Sequence, residues 1–347
     1  NLFRNPKAMI DKFHQRGIHV GLCIDPTEGF YPHEQYYKQA SEFLGVSDNK
    51  IILFDPLNPK ILDVWFKAFL HPLENYGIDF FWNDYRGTSD PTNLWTTNHY
   101  LYLDSGRNSA RRSMILARNG IYAPHLYPVL YGGSSEVSWE ALKKLPFQYL
   151  NAANIGVSWW SHDVGGNHGG IEESELYIRY LELSVYSPIL RFHGARGPYY
   201  KREPWLWDVK TENIAADYLR LRHRLIPYLY TEAYNYTKSG TPLIQPFYYN
   251  YLWVYDDEHY KNQYYFGSQL LVCPILDKKD PTMNRTVHRF FIPDGIWYDF
   301  RTGKKFPGNK KYVSFFKEED YPVFAHAGSI IPLSNRSDYN NVGLPTD

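Results

Sequence analysis

Residues 77–87 read GIDFFWNDYRG: an apolar run of strand length that ends in Trp82, Asn83 and Asp84 and stops at a glycine. The run follows residues 60–77, KILDVWFKAFLHPLENYG, whose apolar positions recur at helical spacing. The same unit recurs along the first two-thirds of the chain. A helix over NPKAMIDKFHQRG (5–17) precedes a buried strand, IHVGLCID (18–25). SMILARN (113–119), LYPVLYGG (126–133), IGVSWWSHD (155–163) and SPILRFHG (187–194) add four more candidate strands. Helical stretches such as SWEALKKLPFQYL (138–150) and ESELYIRYLELSVY (173–186) separate most of them. Near-continuous apolar strands alternating with helices predict parallel strands covered by helices.

Polar or charged residues recur at the strand ends: Asp25, Asp84, Arg118, Asp163 and His193. In a (β/α)8 barrel the chemistry is built at the C-terminal ends of the strands, where these residues fall. An open dinucleotide-binding sheet is the rival, but no GxGxxG turn opens a strand–helix unit. The expected fold class is therefore α/β, a TIM barrel of which about six of eight strands lie in this chain. A single long helix is expected over 211–240. Beyond it, QLLVCPIL (269–276), RFFIPDGIWYDF (289–300), KKYVSFF (310–316) and VFAHAGSIIPL (323–333) read as short strands between Gly, Pro and Asp turns. The boundary is placed at 240, with a barrel domain over 1–240 and a C-terminal β-sandwich domain over 241–347. Six strands would leave two open edges, so a piece of a longer chain is expected.

Lys plus Arg and Asp plus Glu number 37 each among 347 residues, so charge offers no general hold on nucleic acid or an anionic membrane surface. No apolar run approaches membrane-spanning length. The 32 Tyr, 20 Phe and 10 Trp suit stacking on the apolar faces of sugars and equally suit aromatic core packing. Cys23 and Cys273 lie in apolar runs and are expected as two buried thiols.

Three motifs in order resemble glycoside hydrolase family 31. In GIDFFWNDYRG, Asp84 matches the catalytic nucleophile of that family. IGVSWWSHDVGG (155–166) and SPILRFHG match its segments in which Asp163 and His193 contact sugar hydroxyls. GIWYDFRTGKKFPG (295–308) and PVFAHAGSIIPL (322–333) are similar to its C-terminal β-domain. The resemblance implies a retaining α-glycoside hydrolase acting on a terminal α-linked sugar of an oligosaccharide or glycoside, with no cofactor. It implies substrate contacts for Arg118 and a subsite role for Asp25, whose other reading is an Asp-Pro turn. Trp82 and Trp160 are candidate cleft residues, although of Trp159 and Trp160 only one can line a site. Tyr85, Arg86 and Gly87 depart from the family pattern and are expected to shape a different subsite.

The second carboxyl group that retention requires is the larger departure. In LYPVLYGGSSEVSWEAL (126–142) the matching position is Ser134, whose hydroxyl is too weak an acid for that proton transfer. The serine is engineered, or natural with altered chemistry, or Glu136 takes the role. Three functions follow: a retaining α-glycosidase or transglycosidase; an inactive carbohydrate-binding relative; and a barrel enzyme using strand-end Asp and His as metal ligands. His162, Asp163 and His168 invite the last, yet their spacing matches no defined ligand pattern, and no metal is expected.

Overall fold

The computed structural model describes residues 3–47, 49–87, 90–108, 111–118, 120, 122–127 and 129–335. Asn119 and Pro128 of two expected strands, and positions 336–347 of the expected β-domain, lie outside them. The chain forms two compact units, Asn1–Tyr131 and Gly132–Asp347.

In the first unit α1 (Pro6–His14) begins where the Asn5 side chain accepts from the Ala8 amide at 3.0 Å. β1 (Gly21–Ile24) follows, then α2 (Tyr37–Leu44), α3 (Pro59–Val64), α4 (His71–Asn75) and β2 (Phe80–Asn83). α5 (Pro91–Ser105), β3 (Ile115–Arg118) and β4 (Val129–Tyr131) complete the unit. β1 pairs with β2, β2 with β3 and β3 with β4, all parallel. The helix expected over 60–77 is interrupted by a wide π-type turn at Trp65–Leu70. The pattern also hid α5, because its buried face carries Thr96, Thr97 and Asn98 beside Leu94 and Leu101. Two of those polar groups have partners: Thr97 Oγ1 donates to the Asn93 carbonyl at 2.7 Å, and Asn98 Oδ1 accepts from Asn83 Nδ2 at 2.7 Å. A helix can bury polar residues without loss when they are so paired.

The second unit holds α6 (Trp139–Asn154), β5 (Trp160–Ser161), α7 (Ser174–Val185), α8 (Val209–Arg224) and α9 (Ile226–Ser239). Two expectations are corrected here. The helix expected over 211–240 is two helices, separated at Leu225. Pro227 has no amide to bond the preceding turn, and its ring clashes there. The strand expected at SPILRFHG forms no ladder among the described residues. It contributes the Arg191 carbonyl, which accepts from the Val164 amide at 3.1 Å.

α7 is buried on all sides from Glu175 to Val185. Arg179 and Glu182, fully buried, pair at 2.7 Å, and Arg179 Nη2 and Nη1 also donate to the carbonyls of Lys317 and Asp320 at 3.0 and 3.1 Å. Removing one partner of such a pair strands a buried charge. Arg179→Met is therefore expected to lower stability by about 3–5 kcal/mol, and Arg179→Met with Glu182→Leu to recover much of it. Urea unfolding of the three proteins checks this.

β6 (Ile244–Pro246), β7 (Tyr264–Phe266), β8 (Leu270–Val272), β9 (Thr286–Ile292), β10 (Ile296–Asp299), β11 (Lys305–Pro307), β12 (Lys310–Phe316) and β13 (Val323–His326) follow. Six form one antiparallel sheet in the order β11-β10-β13-β8-β7-β6, and β12 pairs with β9. Phe290 of β9 stacks on Phe324 of β13 with centroids 5.1 Å apart, and Cys273 and Trp297 join that core. Cys273 is buried as expected, but Cys23 is exposed. Among the described residues β1 ends the ladder with β2 as its only partner strand, and its residues alternate between exposed and half-buried.

Candidate active site

Alternation along β2 and its continuation decides which residues can act. Phe81, Asn83 and Tyr85 are buried at 3%, 0% and 2% exposure. Trp82 and Asp84 are half-buried and Arg86 is exposed, so these three occupy the opposite face. Tyr85 is therefore core, edge-on to Phe54 at 5.3 Å, which corrects its expected role in a subsite. The Asn83 side chain braces the strand end. Its Nδ2 donates to Asn98, and its Oδ1 accepts from the Tyr85 amide at 3.2 Å.

Asp84 is held from two directions. Its amide donates to the Ile24 carbonyl at 2.9 Å, extending the β1–β2 ladder by one residue. Its carboxylate accepts from Arg118 Nε at 2.5 Å. The register Asn83↔Ala117 sets the two strand ends side by side, which makes this bond possible. Arg118 also lies over the Tyr131 ring, 5.6 Å from its centroid, and Trp82 meets that ring edge-on at 5.6 Å. Partial burial works against the guanidinium charge, but the bond and attraction to Asp84 outweigh it and hold the Arg118 pKa above its ordinary value. Arg118 is a fixed cation beside a fixed carboxylate.

Asp25 is exposed and accepts from the Thr27 amide at 3.1 Å and from the Thr27 hydroxyl. Arg86 Nε stands 3.6 Å from its other oxygen, but Arg86 is 68% exposed, so solvent screens the pair. The turn reading of Asp25 describes its own contacts, and Arg86 is the residue of 85–87 that reaches it. The Cys23 thiol is pushed up to about 11 by local desolvation and by the Asp84 and Asp25 carboxylates, which makes it a poor nucleophile.

In the second unit two loops are tied to each other. The Asn167 amide donates to the Ser135 carbonyl at 2.7 Å, and the Val137 amide to the His168 carbonyl at 3.0 Å. The approach needs glycine. A Cβ on Gly170 would lie 2.0 Å from the Val137 carbonyl oxygen, and the residue sits at φ +62. Ser134 and Glu136 are both exposed on this loop. A Cβ on Gly169 would be 3.5 Å from Glu136 Cγ, so the Glu136 side chain lies against the 166–170 loop. Ser138 caps α6, accepting from the Ala141 amide at 3.2 Å.

Asp163 is 1% exposed, and Arg191 Nη2 lies 2.6 Å from its Oδ1. Arg191 Nε donates to Ser161 Oγ at 2.9 Å. Arg191 was not singled out from sequence. The available signal was its position two residues before His193, on the same side of an extended segment. His193 is half-buried, as are Trp159 and Trp160. Trp160 covers Gly132, where a Cβ would come within 2.5 Å of the indole.

His162 points elsewhere. Its ring is buried between the Tyr149 hydroxyl, 2.6 Å from Nδ1, and Ser184 Oγ, 2.8 Å from Nε2. Burial lowers its pKa to about 3, so it is a neutral core histidine. Among the described residues no group of three or more His, Cys, Asp or Glu could hold a metal ion, and no helix is long and apolar enough to cross a membrane. The depressed value has a consequence for stability. Between pH about 6.5 and about 3 the unfolded chain binds a proton at His162 that the folded chain does not. Stability contributed by the neutral ring is complete above that window and is lost as pH falls through it. His162→Asn is expected to flatten this acid loss, read as the wild-type minus variant unfolding free energy at pH 7 and pH 4.5.

Residues 1–232 match the glycosyl hydrolases family 31 TIM-barrel domain, and residues 240–331 match the family's C-terminal domain. The chain belongs to glycosyl hydrolase family 31. Among curated family 31 relatives, an alpha-xylosidase of Saccharolobus solfataricus is 24% identical over 97% of this chain and 49% of its own length. Alpha-glucosidase 2 of Bacillus thermoamyloliquefaciens is 27% identical over 96% of this chain and 47% of its own. The chain thus spans about half the length of the curated relatives it matches. Among solved structures, the Flavobacterium johnsoniae dextranase superposes with a TM-score of 0.80 at 23% identity, covering 95% of this chain and 46% of that one. The cycloalternan-degrading enzyme of Trueperella pyogenes, seen with a covalent intermediate, gives 0.79 at 21% identity, covering 94% and 50%. These likenesses establish the fold: a family 31 TIM-barrel domain followed by an all-β domain.

Proposed function

We propose that this chain carries the chemistry of a retaining α-glycosidase acting on a terminal α-linked sugar, with Asp84 as nucleophile. The observation that carries the reading is the Arg118–Asp84 bond, which fixes a carboxylate at a strand end beside Trp82. In double displacement Asp84 attacks the anomeric carbon as the glycosidic bond breaks. Water then displaces the sugar from Asp84 with a second inversion, so the product keeps the α configuration. Asp163, held by Arg191, and His193 are assigned contacts with sugar hydroxyls. Trp82 and Trp160 are assigned apolar contacts, and Asp25 with Arg86 an outer subsite. The barrel part is proposed to end at 240 and the β-domain to occupy 241–347.

Relatives named alpha-xylosidase, alpha-glucosidase and isomaltosyltransferase support a neutral α-linked sugar as substrate, with either water or another sugar as acceptor. The test is turnover of nitrophenyl α-glucoside, α-xyloside and α-galactoside, with the anomer of the released sugar followed by proton NMR. Release of the β anomer first would overturn retention.

A second reading rests on Ser134. A serine at the position expected for the proton donor favours a protein that binds sugar without turning it over. Saturable binding of α-linked oligosaccharides with no turnover, unchanged in Ser134→Asp, would select it.

A further inference from the structure

Asp163 and His193 lie on segments with no strand ladder between them among the described residues, so other contacts fix their spacing. Two backbone bonds close the ends of the crossing. The Val164 amide donates to the Arg191 carbonyl at 3.1 Å, and the Ala195 amide to the Asn167 carbonyl at 2.8 Å. Between those bonds the first segment turns sharply. The Gly166 amide donates back to the Asp163 carbonyl at 3.1 Å, with Gly165 and Gly166 at φ +86 and +79, where a side chain would be strained. Gly165, Gly166 and Gly194 bring no side chains to this crossing.

The Arg202 side chain occupies the space they leave. It comes within 3.1 Å of the point where a Cβ on Gly165 would stand, and within 3.2 Å of the same point on Gly194. Its Nε donates to the Gly166 carbonyl, the last of the turn that begins at Asp163, at 3.1 Å. Its Nη1 donates to the Lys201 carbonyl at 3.0 Å and lies 2.9 Å from Glu172 Oε1. The guanidinium lies over the Tyr200 ring, 5.9 Å from its centroid, and the Tyr200 hydroxyl accepts from the Gly169 amide at 2.8 Å. Arg202 is 6% exposed, and a guanidinium taken out of water is costly unless paired and hydrogen-bonded. Glu172 and the two carbonyls offset that cost. The residue is itself anchored, because the buried Tyr177 hydroxyl of α7 donates to its carbonyl at 3.1 Å. An arginine so placed holds protein, not substrate.

We propose that Arg202 is a positioning residue of the sugar site: it sets the loop that follows Asp163 against the segment that carries His193, so that both side chains meet one sugar. The inference rests on the contacts with sugar hydroxyls assigned to Asp163 and His193 above. Hydrogen bonds that strengthen in the transition state act best when their protein groups are placed before the substrate arrives. A displacement of about 1 Å can cost about 10²-fold in rate. Lysine at 202 would keep a charge for Glu172, but it lacks the rigid fork that reaches Gly166, Lys201 and Glu172 at once.

The test compares the whole chain with its Arg202→Lys and Gly194→Ala variants. Gly194 has no left-handed φ, so alanine fits its backbone and sets a methyl 3.2 Å from Arg202 Nε. That second variant decides the matter should the lysine chain fail to fold. Amide hydrogen exchange is expected to quicken over 163–170 and 191–196 in both variants and to stay unchanged in α6. For whichever nitrophenyl α-glycoside is turned over fastest, kcat/KM is expected to fall about 10–100-fold, mostly in kcat. In an Asp163→Asn background the same substitutions are expected to cost less than about threefold, because the contact they position is already gone. A purely structural role costs the same factor in both backgrounds. Equal factors, turnover unchanged in both variants, or exchange at the wild-type rate in both segments would each overturn the inference and leave the proposed activity standing. If the wild-type chain turns over nothing, the same factors are expected in the Kd for maltotriose or isomaltotriose, measured by calorimetry. A wild-type chain that neither turns over nor binds any of these sugars would overturn the proposed function and this inference with it.

Discussion

Asp84→Asn is expected to lower turnover of nitrophenyl α-glycosides by about 10⁴–10⁶-fold, the scale on which removal of a covalent nucleophile acts. The amide keeps the shape of the carboxylate and can still accept from Arg118 Nε, so the strand end stays ordered. What disappears is the carboxylate that, in the proposed mechanism, forms the glycosyl–enzyme bond and stabilises the oxocarbenium-like transition state. Because Asp84 and Arg118 both reach solvent in part, the unfolding midpoint should move little, and the loss reads as chemistry. A fluorinated glycosyl fluoride, slow to leave the nucleophile, is expected to label the peptide containing Asp84 in the wild type and not in the variant. Turnover retained within tenfold, or a label on another peptide, would remove Asp84 from the mechanism.

Ser134→Asp is expected to raise kcat/KM for substrates with poor leaving groups by about 10²–10⁴-fold, the range that a positioned acid/base contributes. The size should depend on the leaving group. A sugar alkoxide needs a proton as the bond breaks, whereas fluoride or a dinitrophenolate departs without one. The gain should therefore be large for a disaccharide and small in the first step for an activated glycoside. Ser134 is exposed on a loop whose next residues are tied to Asn167 and His168, so the new carboxylate adds no buried charge. Glu136 gives the contrasting outcome. If it already serves as the acid, Glu136→Gln abolishes disaccharide turnover and Ser134→Asp changes little. Glu136 lies against Gly169, and the pair of variants separates the two residues cleanly.

Local pattern made much of this legible. Apolar runs ending in Asp25, Asp84 and Arg118 located three strand ends to within a residue, because a half-exposed strand end changes composition abruptly. Asp163 and His193 carried no equally local signature. Asp163 follows a strand of two residues, the segment before His193 forms no ladder, and their expected roles rest on resemblance to a family motif. The helix α5 was lost because its inward residues are polar and paired with Asn83 and its own backbone. The break at Leu225 was readable from Pro227, and the helical periodicity on either side obscured it.

The amino-acid sequence alone determined the family, much of the order of elements and Asp25, Asp84 and Arg118 at strand ends, since these follow from periodicity and motif. Tertiary structure decided which of those residues meet. The register Asn83↔Ala117 gives Asp84 its partner Arg118. The pleat sends Tyr85 into the core and leaves Arg86 to reach Asp25. A neighbour 28 residues further on closes over Asp163, and His162 is drawn between Tyr149 and Ser184. Period-two alternation is written in one strand, but a partner across strands depends on register and packing, which no single stretch of sequence specifies.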